Sequence, residues 1–501
     1  MRSWGAPGIR VFAVGSVLAV SSAALLATAP AALAIGTGCQ ATNVTESGQP
    51  MADLQAAIDQ AVNFDTIEVS GVCFGNFSVN KLIELKGRPT RAVPNPTLDG
   101  NKASSVLVTG GEAGVTLTDL TLTHGKAQQG GAVDMNGGTV WLRGATLITG
   151  NTAVRGGGIH NGNGFLNIGG SASIVANHAR RGGGIYSARG LLTFGGTSSV
   201  SGNTALSGGG VAAPTGHVTL AEQSAVSGNT AGWMGGGILA GSGPLTIGDS
   251  ATVSGNSART GAGVVTNGTL TMYGAASVSM NIASSPNRGG GVLSLSSGSV
   301  VMRDTAQVSQ NRGYMGAGIY SEYGTVVMSG SASVSGNSAT WSGGGIQLLG
   351  GKLVMTDSSG VRGNHADGPG GGVYNGGTVV LKQMAGIDGN GGLHGGGVTG
   401  EGTLRMFDQS SLAFNRAHQG GAYMGSGRFT LNGEARVNGN TARIGGGFYK
   451  VGGRLTLNDS SRITSNTAHK FGGGVYNVAG PVQVNDSATI SANHPDDCLG
   501  C

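Results

Sequence analysis

The sequence predicts an all-β fold, a parallel β-helix in which coils of about 26 residues stack along one axis. Glycine supplies 99 of the 501 residues, about three times ordinary usage, without the G-X-Y period of collagen. An asparagine recurs through most of the chain, and apolar residues stand at fixed offsets before it. Only 11% of the residues are charged and 39% are hydrophobic, which excludes a charged disordered polymer. Short coils that bury a shared core are typical of a solenoid.

Residues 1–34 carry the pattern of a secretory signal peptide. Arg2 and Arg10 precede an apolar run at residues 11–26, and residues 32–34 read Ala-Leu-Ala, a small-residue cleavage site. The alternative is an uncleaved membrane anchor. Cleavage predicts a secreted or cell-surface protein whose net charge falls from +5 to +3, which by itself implies no attraction to nucleic acid or membranes. No later apolar run has the length of a transmembrane segment.

Residues 35–125 predict an amino-terminal cap followed by the first, irregular coils. Leu54, Ala57, Ile58 and Ala61 lie on one face of a short helix that would cover the open end of the solenoid. Four strand-like pieces follow this helix. They are Thr66 to Val69, Lys81 to Leu85, Ser105 to Val108 and Val115 to Thr123.

Residues 126–494 predict the regular glycine-rich repeats. The position three residues before each recurring asparagine is β-branched in 13 of 14 coils, and the positions nine and eleven before it are apolar. The segment around each of these columns is therefore predicted to be a strand. A Gly-Gly-Gly triplet followed by an apolar residue starts a third strand. Such short strands can pair only with the next coil, at about 4.8 Å per coil. The asparagines are Asn151, Asn177, Asn203, Asn229, Asn256, Asn281, Asn311, Asn337, Asn364, Asn390, Asn415, Asn440, Asn466 and Asn493.

The asparagine column predicts a structural ladder in which each side-chain amide bonds to the same amide of the next coil. The alternative is a row of binding groups. We expect each ladder asparagine to adopt the left-handed backbone conformation at its bend. A second corner lies seven residues before each asparagine, where six coils have glycine, six have aspartate, and the other two have Glu222 and Gln383. Turn formation is the favoured interpretation of the acidic residues.

The four cysteines predict two disulfide bonds, one at each end of the solenoid. Disulfide Cα atoms lie within about 7 Å, so cysteines at opposite ends cannot pair. We therefore expect Cys39 to pair with Cys73, and Cys498 with Cys501 in a carboxy-terminal tail of residues 495–501. A redox role for the terminal Cys-x-x-Cys lacks the usual strand and helix context, and a zinc site lacks a second ligand pair.

These repeats resemble the pectate-lyase-like right-handed parallel β-helix superfamily and, within it, the repeats of chlamydial polymorphic outer membrane proteins. Gly-Gly-Gly-Ile alternates with Val/Ile-x-x-Asn here, where the outer membrane proteins have Phe-x-x-Asn. The resemblance implies a right-handed helix. It does not extend to the catalytic motifs of pectate lyases or polygalacturonases, nor to an autotransporter barrel after the last coil.

Few residues offer catalytic chemistry. Asp459 and Asp486 stand at the acidic corner of adjacent coils, where two carboxylates about 4.8 Å apart could serve a retaining glycosidase or hold Ca²⁺. Glu222 and Asp249 form a similar pair. Turn formation is favoured over catalysis for all of them, and we expect no resident metal or cofactor.

The segment between each asparagine and its glycine triplet predicts a variable loop that carries basic and aromatic side chains. Such a row could stack on sugar rings and pair with their carboxylates or sulfates. The alternative is a solvated loop without a ligand. The candidate binding residues are Arg155, Arg181, Trp233, Arg259, Arg288, Tyr314, Trp341, Arg443 and Lys470.

These observations favour a noncatalytic protein of the cell exterior that presents a repetitive adhesive surface to glycans or other cell-surface polymers. A polysaccharide lyase or glycoside hydrolase of the same fold is one alternative, and a structural surface or spacer protein is another. Nucleic acid is not an expected partner, and the sequence leaves the oligomeric state open.

Overall fold

The computed structural model describes residues 38–284, 286 and 288–501, and these form a parallel β-helix of coils about 26 residues apart. The predicted signal peptide at residues 1–34 lies outside the described residues. Each regular coil passes through four short strands that belong to three sheets. The strands that follow the glycine triplet and those that follow the next turn both lie in sheet 1, and sheets 2 and 3 complete the coil.

Sheet 1 contains 33 strands in two rows, and the strands Leu107–Thr118 and Val133–Arg143 are long enough to span both rows. Gln40–Asn43 pairs antiparallel with Thr66–Ser70, whereas the later strands pair parallel from coil to coil. The first row holds Phe77–Val79, Ile159–Asn161, Ile185–Ser187, Val211–Ala213, Ile238–Ala240, Val264–Thr266, Val292–Ser294, Ile319–Ser321, Ile346–Leu348, Val373–Asn375, Val398–Thr399, Tyr423–Gly425, Phe448–Lys450, Val475–Asn477 and Cys498–Leu499. The second row holds Gln40–Asn43, Thr66–Ser70, Leu82–Gly87, Phe165–Ile168, Leu191–Phe194, His217–Leu220, Leu245–Ile247, Thr269–Met272, Ser299–Met302, Thr325–Met328, Lys352–Met355, Thr378–Leu381, Thr403–Met406, Arg428–Leu431, Arg454–Leu457 and Val482–Val484.

Sheet 2 is a ladder of 17 strands that carries the β-branched column of the sequence. Its side chains at that column are fully buried from Ile148 to Ile463, because the middle residue of each three-residue strand points into the core. The strands are Val72–Phe74, Thr97–Asp99, Thr121–Thr123, Leu147–Thr149, Ser173–Val175, Ser199–Ser201, Ala225–Ser227, Thr252–Ser254, Ser277–Ser279, Gln307–Ser309, Ser333–Ser335, Gly360–Arg362, Gly386–Asp388, Ser411–Ala413, Arg436–Asn438, Arg462–Thr464 and Thr489–Ser491.

Sheet 3 has 14 strands and occupies the segment that the sequence predicted as a variable loop, so that prediction is wrong. An alanine two residues after most ladder asparagines faces inward, and the backbone hydrogen bonds run between coils irrespective of the exposed side chains. The strands are Lys126–Gln129, Thr152–Arg155, His178–Arg181, Thr204–Ser207, Thr230–Met234, Ser257–Thr260, Ile282–Ala283, Arg312–Met315, Ser338–Ser342, His365–Pro369, Gly391–His394, Arg416–Gln419, Thr441–Ile444 and Thr467–Phe471.

The predicted amino-terminal helix is present as α1 (Leu54–Gln60). The carboxylate of Asp53 caps it by accepting hydrogen bonds from the amides of Gln55 and Ala56. Its buried face packs against the strands Gln40–Asn43, Thr66–Ser70 and Phe77–Val79. The helix therefore covers the apolar end of the first coils.

The predicted asparagine ladder is confirmed, and it lies inside the fold. The Oδ1 atom of Asn337 accepts hydrogen bonds from the backbone N of Asn311 at 2.9 Å and from its Nδ2 at 3.0 Å. The same arrangement repeats from Asn151 to Asn493, where Asp497 Oδ1 takes the place of the next asparagine. The ladder is buried in the regular coils, so it is not a row of binding groups.

The left-handed residue at this bend is not the asparagine, contrary to expectation. It is the residue before the asparagine, for example Gly336 with φ of 61° and Phe414 with φ of 55°. A residue with positive φ at that place turns the chain so that the asparagine side chain points inward to its neighbour. At the glycine triplet the first glycine also has positive φ, 67° at Gly156, and a Cβ on Gly157 would clash with the carbonyl of Gly183 in the next coil.

Both expected disulfide bonds are present. Cys39 pairs with Cys73 across a sequence separation of 34 residues, and Cys498 pairs with Cys501 across a separation of 3. The first bond ties the segment before α1 to sheet 2. The second closes a short ring on the last coil.

Candidate functional site

The candidate binding residues separate onto two surfaces. Six of them lie on the solvent side of sheet 3, which we call the outer face: Trp233, Arg259, Tyr314, Trp341, Arg443 and Lys470. The other three lie against the solvent side of the first row of sheet 1, and we call this surface the groove. Arg155 and Arg288 contact tyrosines of that row, and Arg181 lines a cavity in it. The single stripe expected from the sequence is therefore divided by the direction in which each side chain leaves its strand.

Two pairs of side chains on the outer face, which we call the aromatic pairs, each contain at least one aromatic ring. The guanidinium of Arg259 lies 5.4 Å from the centre of the Trp233 ring, on the adjacent coil. The rings of Tyr314 and Trp341, also on adjacent coils, are stacked at 6.1 Å with an angle of 12° between their planes. About half of each tryptophan surface is exposed, 48% for Trp233 and 52% for Trp341. Each pair therefore leaves part of an aromatic ring accessible to solvent.

Both tryptophans lie in β-bulges. Ala205 and Ser207 pair with Ala231 and Met234, so Gly232 and Trp233 together oppose one residue of the previous coil. An equivalent register shift places Thr340 and Trp341 opposite one residue. A bulge bends its strand and reorients side chains, and here it accompanies the tryptophan in both coils.

Lys470 occupies a similar bulge near the carboxy-terminal end. Arg443 lies on the coil before it, and its Nη1 donates a hydrogen bond to His418 Nε2 at 3.1 Å. The Asn440 coil lies four coils beyond the Asn337 coil, about 19 Å along the axis at ordinary strand spacing. These two cations are therefore separate from the aromatic pairs.

The groove contains residues that the sequence analysis missed. Asp134 Oδ1 lies 2.7 Å from His160 Nδ1, and the His160 ring stacks on Tyr186 at 5.7 Å with an angle of 15°. The guanidinium of Arg155 lies 5.8 Å from the same tyrosine ring. Farther along, Arg288 approaches the Tyr320 ring. No sequence motif marks these contacts, because each partner is a full coil away in the chain.

Arg288 is held by two neighbours. Its guanidinium lies 5.2 Å from the centre of the Tyr320 ring and forms an ion pair with Glu322. Tyr320 is buried beside Val265 and Leu293, which face outward from sheet 1 and still have almost no exposure. Burial raises the pKa of the Tyr320 hydroxyl above its ordinary value.

Asp459 and Asp486, the carboxylates considered for a glycosidase or calcium site, lie at turns of the β-helix. Asp459 has a positive φ of 57° and Asp486 one of 52°. The Oδ2 atom of Asp486 accepts a hydrogen bond from Asp459 N at 3.0 Å, and Asp459 Oδ2 accepts one from Gly433 N at 2.7 Å. Each carboxylate therefore satisfies a backbone amide of the coil before it, which supports turn formation at this corner.

Other groups with a shifted pKa lie outside the aromatic pairs, and burial is the largest cause for each. Burial raises the pKa of Asp388 and raises that of Tyr423 to about 12. It lowers the pKa of His394 and of Lys450. The Tyr423 hydroxyl donates to Gly400 O at 3.0 Å, so its role is to fasten a turn.

Across the part of the chain that the structure describes, no group of three or more His, Cys, Asp or Glu residues is arranged to hold a metal ion. Within that same part, no helix has the length and apolar character needed to cross a bilayer.

Comparisons with protein-family models, curated proteins and solved structures give no match for this chain. The parallel β-helix is thus established by the structure alone. The resemblance to the pectate-lyase-like superfamily and to the repeats of polymorphic outer membrane proteins stays a prediction.

Proposed function

We propose that this protein is a noncatalytic, secreted or cell-surface binding protein that holds an extended glycan along the outer face of sheet 3. The observation that carries the proposal is the pair of half-exposed aromatic platforms, Trp233 with Arg259 and Tyr314 with Trp341. Aromatic faces stack on the apolar faces of sugar rings, and arginine pairs with their carboxylates or sulfates.

The spacing of the platforms suits a polymer. Trp233 and Tyr314 lie three coils apart, which corresponds to about 14 Å along the axis at ordinary strand spacing. A chain of several sugar units would reach from one platform to the other. Adhesion to extracellular glycans or other cell-surface polymers is the role proposed for this surface. The two disulfide bonds are compatible with an oxidising compartment.

The test is binding of the mature protein to a panel of acidic and neutral polysaccharides, measured by calorimetry and by affinity electrophoresis. The double variant Trp233→Ala with Trp341→Ala should weaken binding by about 5- to 150-fold, since two aromatic contacts of about 0.5–1.5 kcal/mol each are lost. Phe165→Ala is the matched control, because this residue is 56% exposed and lies on sheet 1.

Binding that survives the double variant would remove the proposed platforms. Reducing-sugar and unsaturated-product assays on the same polymers separate the binding protein from a lyase or hydrolase, because turnover would replace the noncatalytic proposal. If the protein binds none of the polymers, a structural surface or spacer protein is favoured. The buried asparagine ladder would give such a protein a stiff axis.

A further inference from the structure

A cavity of about 500 Å³ opens into the groove between the coils of Asn177 and Asn281. Its position follows from two small residues on one coil, Ser207 at the end of sheet 3 and Ala212 on the outer side of sheet 1. In the next coil the same register positions hold Met234 and Leu239. The cavity therefore exists because one coil lacks the bulky side chains of its neighbour.

An aromatic stack ends at this cavity. His160, Tyr186 and Ala212 occupy the same register position on three successive coils. The first two rings stack nearly parallel, and Tyr186 and Ala212 both line the cavity. Since alanine has no ring, the stack stops at Tyr186, and Leu239 supplies the apolar wall one coil farther on.

The charge at the cavity is positive. Arg181 lines it, and none of the other lining residues is acidic. Within residues 38–284 and 288–501, Arg181 takes part in no ion pair. Asn267 and Ser242 add polar side chains at the opposite side. An apolar cleft with one cation and a few polar groups is the usual composition of a small-molecule site.

We propose that this cavity binds a flat aromatic molecule that carries an anionic substituent, an aromatic carboxylate being the simplest case. The ring of the ligand lies over Ala212, between Tyr186 and Leu239, and continues the His160–Tyr186 stack. Its carboxylate pairs with Arg181. This site is independent of the outer face and of the glycan proposal, since it uses a different surface of the coil.

The probe is 2-naphthoate, with 2-naphthamide as the neutral ligand of the same shape, and binding to the full mature protein is followed by calorimetry. Wild type should bind one naphthoate per chain and bind the amide about fivefold more weakly, because the neutral amide cannot form the ion pair with the exposed guanidinium of Arg181. Arg181→Gln should lower the affinity for naphthoate to that for the amide.

Two variants fill the cavity with side chains that neighbouring coils already accommodate. Ala212→Tyr repeats the residue of the previous coil, and Ser207→Met repeats that of the next, so each should fold with an unchanged melting temperature and lose naphthoate binding. Arg303→Gln removes an exposed arginine elsewhere and should leave binding unchanged.

Three results would overturn the proposal: no binding of naphthoate to wild type, equal affinity for naphthoate and naphthamide, or retention of binding by a folded Ala212→Tyr or Ser207→Met protein. If one of these two variants fails to fold, the other still decides the outcome. Binding of glycans to the outer face is measured separately and does not affect this result.

Discussion

Replacing Asn337 by alanine tests the asparagine ladder, on which the regularity of the solenoid depends. Asn337 lies near the middle of the ladder and is 1% exposed. Its Oδ1 accepts two hydrogen bonds from Asn311, and its Nδ2 donates to Val308 O at 3.0 Å and to Asn364 Oδ1 at 2.9 Å. The substitution removes all four at once.

The cost follows from the groups that the substitution leaves behind. The backbone N–H of Asn311 loses its acceptor in a buried corner. Asn311 Nδ2 still donates a hydrogen bond to Val278 O, and Asn364 Oδ1 still accepts one from the backbone N of residue 337. An orphaned buried donor costs about 1–3 kcal/mol and each lost hydrogen bond about 0.5–1.5 kcal/mol. We therefore expect a loss of about 3–6 kcal/mol in the free energy of unfolding.

The assay is guanidinium unfolding followed by circular dichroism, together with amide hydrogen exchange of the coils on either side of residue 337. Asn167→Ala is the matched control, since this asparagine is exposed on sheet 1 and should change stability little. Exchange should increase first around Asn311, where the donor is orphaned. Neutral surface substitutions change the free energy of unfolding by up to about 0.5 kcal/mol. If Asn337→Ala differs from wild type by no more than that, the ladder does not carry the stability assigned to it.

Three further outcomes are expected. Val334→Asp places an unpaired charge at a position with 0% exposure, so it should destabilise several coils, and an unchanged melting curve would contradict the inward assignment. Cys39→Ser opens the bond that spans 34 residues, so it should lower the free energy of unfolding by about 3–4 kcal/mol and increase hydrogen exchange in the first coils. Cys501→Ser should have a much smaller effect, and equal effects of the two variants would refute this expectation. Burial, helped by the charge of His418, lowers the pKa of His394 below 6.5 in the folded state. The unfolded chain therefore takes up a proton first on acidification, so stability should fall as the pH drops through and below 6.5, and His394→Gln should reduce that slope in thermal scans between pH 7.5 and 5.

The sequence by itself determined the features that repeat. The β-branched column before each asparagine and the asparagine ladder are recognisable because each recurs at the coil spacing. The amino-terminal helix was recognisable from its apolar face at Leu54, Ala57, Ile58 and Ala61, and the disulfide pairs from the distance between the two ends of the solenoid. A side chain that recurs at the coil period must meet its own copy, so the ladder from Asn151 to Asn493 follows from the spacing alone.

The tertiary structure decided what depends on contacts between unlike residues of neighbouring coils. Sheet 3 forms through backbone hydrogen bonds between coils, so its varied side chains gave no strand signal. The bulges at Trp233 and Trp341 arise where a strand holds one residue more than the coil before it. The Asp134–His160 pair and the cavity beside Ala212 require both the register and the facing direction of each residue. Those are set by packing across 26 residues of chain, which is why local patterns do not reveal them.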